Sequence, residues 1–212
     1  KAKSIYIHIP FCRSKCFYCA FVSFCDKFEF EDEYINALIS EIMAAEPSDI
    51  DTIYFGGGTP NSLKIESLEK ILYTIKNKFK INKNSEITLE ANPKLSNKNY
   101  FKELKNLGIN RISLGVQSFN DEILKSLNRI HTKQDALKTI DILQNIGFQN
   151  INIDLIYGIQ NMQDLEQDLK IVKTLDLQHI STYGLKIEKG TLEINDGSFK
   201  SDNSEAIRIL GG

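Results

Sequence analysis

The chain has 212 residues, of which 42% are hydrophobic, and its 26 basic and 28 acidic residues leave a formal net charge of −2. This size and apolar content are sufficient for a folded core, whereas the balanced charge gives no reason to expect a nucleic-acid or membrane-surface partner. No apolar run approaches the roughly 18 residues of a membrane-spanning helix, so a cytoplasmic protein is expected.

Short β-type segments alternate with helical patterns along the chain. The β-type segments are IYIHI (5–9), TIYFG (52–56), EITLEA (86–91), RISLGV (111–116), NINIDLI (150–156) and HISTYGL (179–185). The segments that space apolar residues three or four apart, as a helix requires, are 31–46, 66–78, 97–107, 133–146 and 163–175. This order predicts right-handed βαβ units and a parallel sheet in an α/β fold.

The predicted strands each have one apolar and one polar face. Parallel strands that are covered by helices on both faces usually read as continuous apolar runs, so the polar faces indicate a wet or ligand-filled space. The sequence therefore predicts a partial (β/α)6 barrel with a lumen; an open doubly wound sheet and a sheet with one solvated face are the alternatives. The expected lumen residues are Tyr6, His8, Thr88, Glu90, Ser113, Gln117, Asn152, Asp154, Ser181 and Tyr183.

Composition changes after the last predicted strand, where the sequence becomes polar and contains glycine. We expect residues 1–188 to form the partial barrel. We expect residues 189–212 to be a polar loop and the start of a C-terminal region that this chain lacks.

Three of the four cysteines lie in CRSKCFYC (12–19), directly after the first predicted strand, where barrels gather their ligand chemistry. Such crowding argues against a secreted disulfide framework and favours metal binding. One reading is a zinc site completed by Cys25 or His8, and another is a redox pair of Cys16 and Cys19. The third is a [4Fe–4S] cluster held by three cysteines, which leaves one iron open for a small molecule.

Further candidate residues follow the other strands. FGGGTP (55–60) ends the second strand with glycines that allow close approach of the backbone to an anionic ligand. Asp154 is flanked by isoleucine and leucine, and a buried carboxylate requires a hydrogen-bonding or basic partner. Arg129 is a candidate partner, while Glu90 and Gln117 lie at strand ends with lumen parity.

These motifs together resemble the radical S-adenosylmethionine (SAM) superfamily, and within it the oxygen-independent coproporphyrinogen III oxidase-like family. The resemblance covers about residues 4–190 and is carried by YIHIPFC (6–12), GGGTP (56–60), EANP (90–93), GVQSF (115–119), NRIH (128–131) and DLIYG (154–158). It implies a [4Fe–4S] cluster on Cys12, Cys16 and Cys19, with SAM on the open iron. The SAM contacts that it implies are Tyr6, Tyr18, Gly57, Gly58, Thr59, Glu90, Gln117, Arg129 and Asp154.

The resemblance is closer to the heme chaperone branch of the family, HemW, than to the decarboxylating oxidases. Those oxidases carry a further cysteine at the position of Phe21 and an N-terminal extension, which this sequence lacks, and NRIH also favours the HemW branch. Two departures from the family are YGIQ (157–160) where YGLP is usual, and the missing C-terminal domain.

The leading functional hypothesis is therefore a heme chaperone that binds heme and transfers it to an acceptor protein. The alternatives are a coproporphyrinogen dehydrogenase or related radical SAM methylase, and a zinc-binding interaction module. A radical SAM protein also implies a reductant such as flavodoxin or ferredoxin and, here, a porphyrin or heme ligand.

Overall fold

A computed structural model of the chain describes residues 3–159, 162–186 and 191. Six parallel strands form one sheet whose order follows the chain, with β1 and β8 at its two edges. The strands of this sheet are β1 (Ser4–Ile9), β4 (Asp49–Gly57), β5 (Lys80–Ala91), β6 (Arg111–Gln117), β7 (Ile151–Tyr157) and β8 (His179–Gly184). Two short strands, β2 (Phe11–Cys12) and β3 (Phe24–Cys25), pair separately and in parallel.

Helices connect the successive strands, as the parallel pairing requires. They are α1 (Glu31–Ala44), α2 (Ile65–Lys78), α3 (Lys98–Leu107), α4 (Asp121–Ser126), α5 (Lys133–Ile146) and α6 (Met162–Val172). The ends of α5 show why the local sequence forms a helix. Thr132 and Asp135 make a reciprocal capping box at its start, and Gly147 ends it with a φ of 91°.

The core lies between the helices and one face of the sheet. The apolar strand residues that were expected to face the helices are buried there, including Phe55, Leu89, Leu114 and Ile153, each at most 1% exposed. Buried apolar residues of the sheet and of α1, α2, α3, α5 and α6 form one continuous cluster, and α4 contributes to a smaller, second cluster. The opposite face of the sheet is therefore free for polar side chains.

The predicted strands and helices are confirmed, with boundaries that differ by a few residues, and the partial parallel barrel is confirmed with them. Helix α4 and the β2–β3 pair were not predicted. The expected polar region 189–212 lies outside the described residues apart from Thr191, and so does Gln160 of the YGIQ segment. Among the helices in the described ranges, none has the length and apolar character needed to cross a membrane.

Candidate functional site

A cavity of about 590 Å³ occupies the polar side of the sheet and opens near the carboxyl ends of the strands. Its wall combines the cysteine-containing segment, the glycine segment after β4, the polar strand face and the connection between α4 and α5. All of the residues expected to hold the cluster or SAM line this cavity except Tyr6. Segments that are far apart in sequence therefore meet at one place.

The cysteine loop, residues 12–25, is closed by its own hydrogen bonds. Its first and last residues, Cys12 and Cys25, lie opposite each other in the β2–β3 pair. Lys15 Nζ donates to the carbonyl of Phe21 at 2.9 Å and to the hydroxyl of Ser23 at 2.8 Å. These contacts hold the loop folded back toward its start.

The connection between α4 and α5 anchors the cysteine loop from the other side of the barrel mouth. Asn128 Nδ2 donates to the carbonyl of Lys15 at 2.8 Å, and the amide of Phe17 donates to the carbonyl of Leu127 at 3.3 Å. Asn128 has a φ of 57°, a left-handed conformation that asparagine tolerates better than most residues. The loop position therefore depends on residues more than a hundred positions away.

The three clustered thiols have different surroundings. Cys12 Sγ lies 3.4 Å from Thr59 Oγ1, and Cys16 Sγ accepts a hydrogen bond from Arg129 Nη1 at 3.3 Å. Burial raises the pKa of Cys19, while the nearby charge of Lys15 opposes that rise. Positive charge beside the thiols favours their binding as thiolates or the entry of an anionic ligand.

The arrangement of the thiols fits a polynuclear cluster. In the described residues, no three His, Cys, Asp or Glu side chains are gathered around one metal position. A [4Fe–4S] cluster does not require this, because each cysteine binds a different iron. Three thiols that share one cavity wall, with a guanidinium beside them, are a suitable donor set for such a cluster.

The glycine segment brings backbone close to the cavity. Gly57 has a φ of 112°, and a Cβ built there would lie 2.5 Å from the ring of His8. A Cβ on Gly58 would lie 2.8 Å from the carbonyl oxygen of Phe11. Side chains at these positions would collide with strand β1 and the start of the cysteine loop, so the sequence requires glycine there.

Two half-buried carboxylates face the cavity. Glu90 accepts from the hydroxyl of Tyr54 at 2.7 Å and from the amide of Gly57 at 3.2 Å. Asp154 accepts from Asn152 Nδ2 at 2.8 Å and from Ser113 Oγ at 3.4 Å. Burial raises the pKa of both carboxyl groups, although these hydrogen bonds oppose the rise. Both are suited to accept hydrogen bonds from a ligand with amino or hydroxyl groups.

Arg129 and Gln117 converge above Gly115. Arg129 Nη2 donates to the Gly115 carbonyl at 2.6 Å, and the hydroxyl of Tyr183 donates to Gln117 Oε1. Burial disfavours the charge of Arg129, but Tyr18 and Cys16 outweigh it and raise the pKa of the guanidinium. Its buried Nε has no hydrogen-bond partner among the described residues.

Three residues of the predicted lumen do not line the cavity. Tyr6 is 57% exposed on the edge strand β1 and stacks on Tyr54, with ring centroids 6.1 Å apart. His8 packs against Gly57 instead, and its Nε2 lies 2.8 Å from the carbonyl of Val22. Thr88 is buried among its neighbours and donates to Glu86. Strand alternation predicts which face of the sheet a side chain lies on. Whether that side chain lines the cavity also depends on how close the residue is to the carboxyl end of its strand and on how far the strand is from the edge of the sheet.

Cavity residues that the sequence analysis missed include Tyr54, Arg111 and Asn128. Arg111 has the same parity as Ser113 on its own strand, so extending the alternation would have found it. Tyr54 lies opposite Tyr6 and Thr88 of the neighbouring strands, but no lumen residue was predicted on its own strand. Asn128 carried no such signal, because its role depends on a left-handed backbone that the sequence does not reveal.

Comparison with known proteins gives a consistent result. Residues 6–172 match the family described as the Radical SAM superfamily. The heme chaperone HemW of Bacillus subtilis is 39% identical over 200 residues, which cover 91% of this chain and 53% of that protein. HemW of Escherichia coli is 37% identical over 196 residues, covering 89% and 52% of the two chains.

A solved structure shows the same fold. Coproporphyrinogen III oxidase (HemN) from Escherichia coli, described as a radical SAM enzyme, matches with a TM-score of 0.88 and 27% identity over 98% of this chain and 52% of that chain. The chain spans about half the length of the relatives that it matches. Because the family match extends across the cysteine loop and strands β4, β5, β6 and β7, this chain belongs to the radical SAM superfamily.

Proposed function

We propose that this chain is the SAM-binding barrel of a heme chaperone of the HemW type. The observation that carries the proposal is the meeting of three cysteines, a half-buried arginine and two half-buried carboxylates at one cavity. The superfamily implies a [4Fe–4S] cluster and SAM. We assign the cluster to Cys12, Cys16 and Cys19.

The remaining cavity residues are proposed to bind and orient SAM. Glu90, Gln117 and Asp154 offer acceptors for its amino and hydroxyl groups, and Arg129 offers a positive charge for its carboxylate. Gly57 and Gly58 allow close approach of the backbone, with Thr59 and Tyr18 at the same wall. Tyr6 would contribute only through its contact with Tyr54, unless the ligand draws its ring inward.

When bound, the cluster supplies one-electron reduction of SAM. The protein's own part is to hold the cofactor, fix its orientation and exclude water from the cavity. A small reductant protein such as flavodoxin or ferredoxin is the proposed electron source. These assignments rest on the cavity geometry and the superfamily match together.

Heme chaperone activity is the favoured whole-protein function because the HemW relatives are 37–39% identical to this chain. Phe21, at the position where the oxidases carry a further cysteine, points the same way. Heme, and a protein that accepts it, are the corresponding ligand and partner. The second candidate is a coproporphyrinogen dehydrogenase, which the structural likeness to HemN supports.

The cluster assignment is tested by anaerobic reconstitution with iron and sulfide, followed by EPR spectroscopy with and without SAM. We expect a reduced [4Fe–4S] signal that SAM perturbs. Cys16→Ser should lose the signal, whereas Cys25→Ser should retain it, because Cys25 is not one of the three proposed ligands. Equal loss of the signal in both variants would contradict the three-cysteine assignment.

The two whole-protein functions are separated with protein expressed from its complete reading frame. A chaperone should bind heme stoichiometrically, with a shifted Soret band, and pass it to an acceptor. A dehydrogenase should convert coproporphyrinogen to a decarboxylated product when SAM and reductant are present. Heme binding without that conversion supports the first function, and conversion without heme binding replaces it with the second.

A further inference from the structure

Gln117 occupies a strained backbone conformation at the end of strand β6. Its φ is 70°, which is uncommon for a residue other than glycine. The amide of Ser118 donates to the carbonyl of Val116 at 2.9 Å, which closes a γ-turn centred on Gln117. The pairing register with β7 shifts at the same place, between Leu114 and Gln117. Such strain persists only where surrounding contacts hold it.

Two side chains hold this turn from outside the cavity. His131 Nε2 lies 2.9 Å from the carbonyl of Val116, the same oxygen that accepts the Ser118 amide. Asp168 Oδ1 accepts from the amide of Phe119 at 2.8 Å. Contacts from the α4–α5 connection and from α6 thus fix both ends of the turn.

The chemistry of His131 determines the direction of its hydrogen bond. The side chain is 2% exposed, and burial together with the positive charge of Arg129 lowers its pKa to about 4. The imidazole is therefore neutral at neutral pH and carries a single N–H. Because a carbonyl oxygen only accepts, that hydrogen must be on Nε2 and donate to Val116. Nδ1 has no hydrogen-bond partner among the described residues. The bond from Nε2 to the Val116 carbonyl is therefore the single hydrogen bond that the described structure gives to this ring.

The turn decides where the Gln117 side chain points. Gln117 lines the cavity, and its Oε1 accepts from the hydroxyl of Tyr183 on β8. Gly115, two residues earlier, leaves room for the Gln117 amide, since a Cβ there would lie 3.0 Å from Nε2. Strand alternation already places residue 117 on the cavity face, and the positive φ of the turn sets the direction in which its side chain leaves the backbone there.

We infer that His131 is a positioning residue, which holds the γ-turn so that Gln117 presents its amide to SAM in the cavity. The inference rests on the proposed function, in which Gln117 contacts SAM. His131 does not line the cavity, so it acts on the ligand only through Gln117.

The test measures SAM affinity of the cluster-loaded protein by equilibrium dialysis, with cluster content and thermal stability recorded for each variant. His131→Phe keeps the ring and removes the donor. We expect normal cluster content and roughly tenfold weaker SAM binding, the effect of one lost hydrogen bond. His131→Gln, which restores an N–H donor, should recover part of the affinity.

Two controls separate positioning from a general loss of stability. Thr139→Val removes a hydrogen bond of similar burial, from Thr139 Oγ1 to the carbonyl of Pro93 at 2.7 Å, and should lower stability without changing SAM affinity. In the Gln117→Ala background, His131→Phe should have no further effect on SAM binding. If His131 acts only through Gln117, the losses of binding free energy from the two substitutions do not add. If His131→Phe does not fold, His131→Leu takes its place in this cycle.

The outcomes are distinct. Wild-type SAM affinity in His131→Phe, or additive losses in the double variant, would overturn the positioning role while leaving the proposed function intact. A wild-type protein that carries its cluster but does not bind SAM would instead overturn the proposed function.

Discussion

Glu90 shows at the scale of one residue how the site balances stability against ligand binding. Its carboxylate is held by Tyr54 and Gly57, yet burial raises its pKa. The folded protein therefore binds a proton at Glu90 more tightly than the unfolded chain does. The free energy of unfolding must fall as pH rises through the folded pKa of Glu90. A ligand amino group next to the carboxylate would offset this loss.

Glu90→Gln tests that balance. The amide can accept from Gly57 and donate to the hydroxyl oxygen of Tyr54, so both contacts survive without the charge. We expect the variant to unfold at a higher temperature than the wild type at neutral pH, and the difference to disappear in acid, where Glu90 is protonated in both states. Thermal melts across pH measure this. A constant difference at every pH would show that charge burial is not the cause.

Strand alternation predicted the side-chain face of Glu90, Gln117 and Asp154 correctly, because the side-chain period of a strand depends on the backbone alone. The strained φ of Gln117 and the buried bond of His131 could not be predicted in this way. They depend on contacts between segments that the sequence does not place side by side.

At the scale of elements, the carboxyl end of β4 depends on glycine for two separate reasons. Gly57 requires a positive φ, and it also lies against the ring of His8. Gly147, after α5, requires a positive φ as well, but its nearest neighbour is the flexible end of Lys105. Adding a side chain at Gly147 costs free energy mainly through the backbone conformation, whereas at Gly57 it also costs free energy through a steric clash. Comparing the two positions therefore distinguishes these contributions.

Gly57→Ala is expected to destabilise the protein by more than Gly147→Ala. The left-handed backbone alone costs about 1–2 kcal/mol in either variant, and Gly57→Ala must also displace the His8 ring and with it the contact to Val22. Urea unfolding of both variants gives the comparison. Equal losses would mean that His8 moves at no cost and does not fix the cysteine loop.

The sequence predicted the long elements better than the short ones. Six strands and five helices have enough residues to show a period, whereas α4 has six residues and β2 and β3 have two each. These short elements flank the cysteine loop and the α4–α5 connection. The segments that lie closest to the candidate site were therefore the hardest to predict. Their structure is determined by hydrogen bonds such as that from Asn128 to Lys15.

At the scale of the whole molecule, the site is closed by a contact between the loop after the first strand of the sheet and the connection after the fourth. Asn128 joins the cysteine loop to the α4–α5 connection, through donors that reach Lys15 and Ser14. Apart from Tyr18, which packs against the small apolar cluster that contains Leu127, this contact is made by hydrogen bonds, and the main core does not reinforce it.

Asn128→Asp is expected to loosen the cysteine loop, because a carboxylate has no N–H to donate to the Lys15 carbonyl. Hydrogen exchange at the amide of Phe17 should become about tenfold faster, which is the effect of losing one bond. Asn97→Asp is the matched control, since Asn97 caps α3 only as an acceptor and aspartate caps equally well. Unchanged exchange at Phe17 would show that the loop is held by other contacts.

The consecutive strand order also has a consequence for the timing of synthesis. The cysteines are translated with the first strand, but Cys16 and its hydrogen-bond donor Arg129 are 113 residues apart. At ordinary translation rates of about 5–20 residues per second, the thiols wait roughly 6–23 s for that partner. The growing chain therefore has its proposed cluster ligands before it has a cavity to protect them. We expect iron to be loaded after the fourth strand of the sheet and the α4–α5 connection have been made, and a ribosome-bound chain that ends before Asn128 should accept no stable cluster.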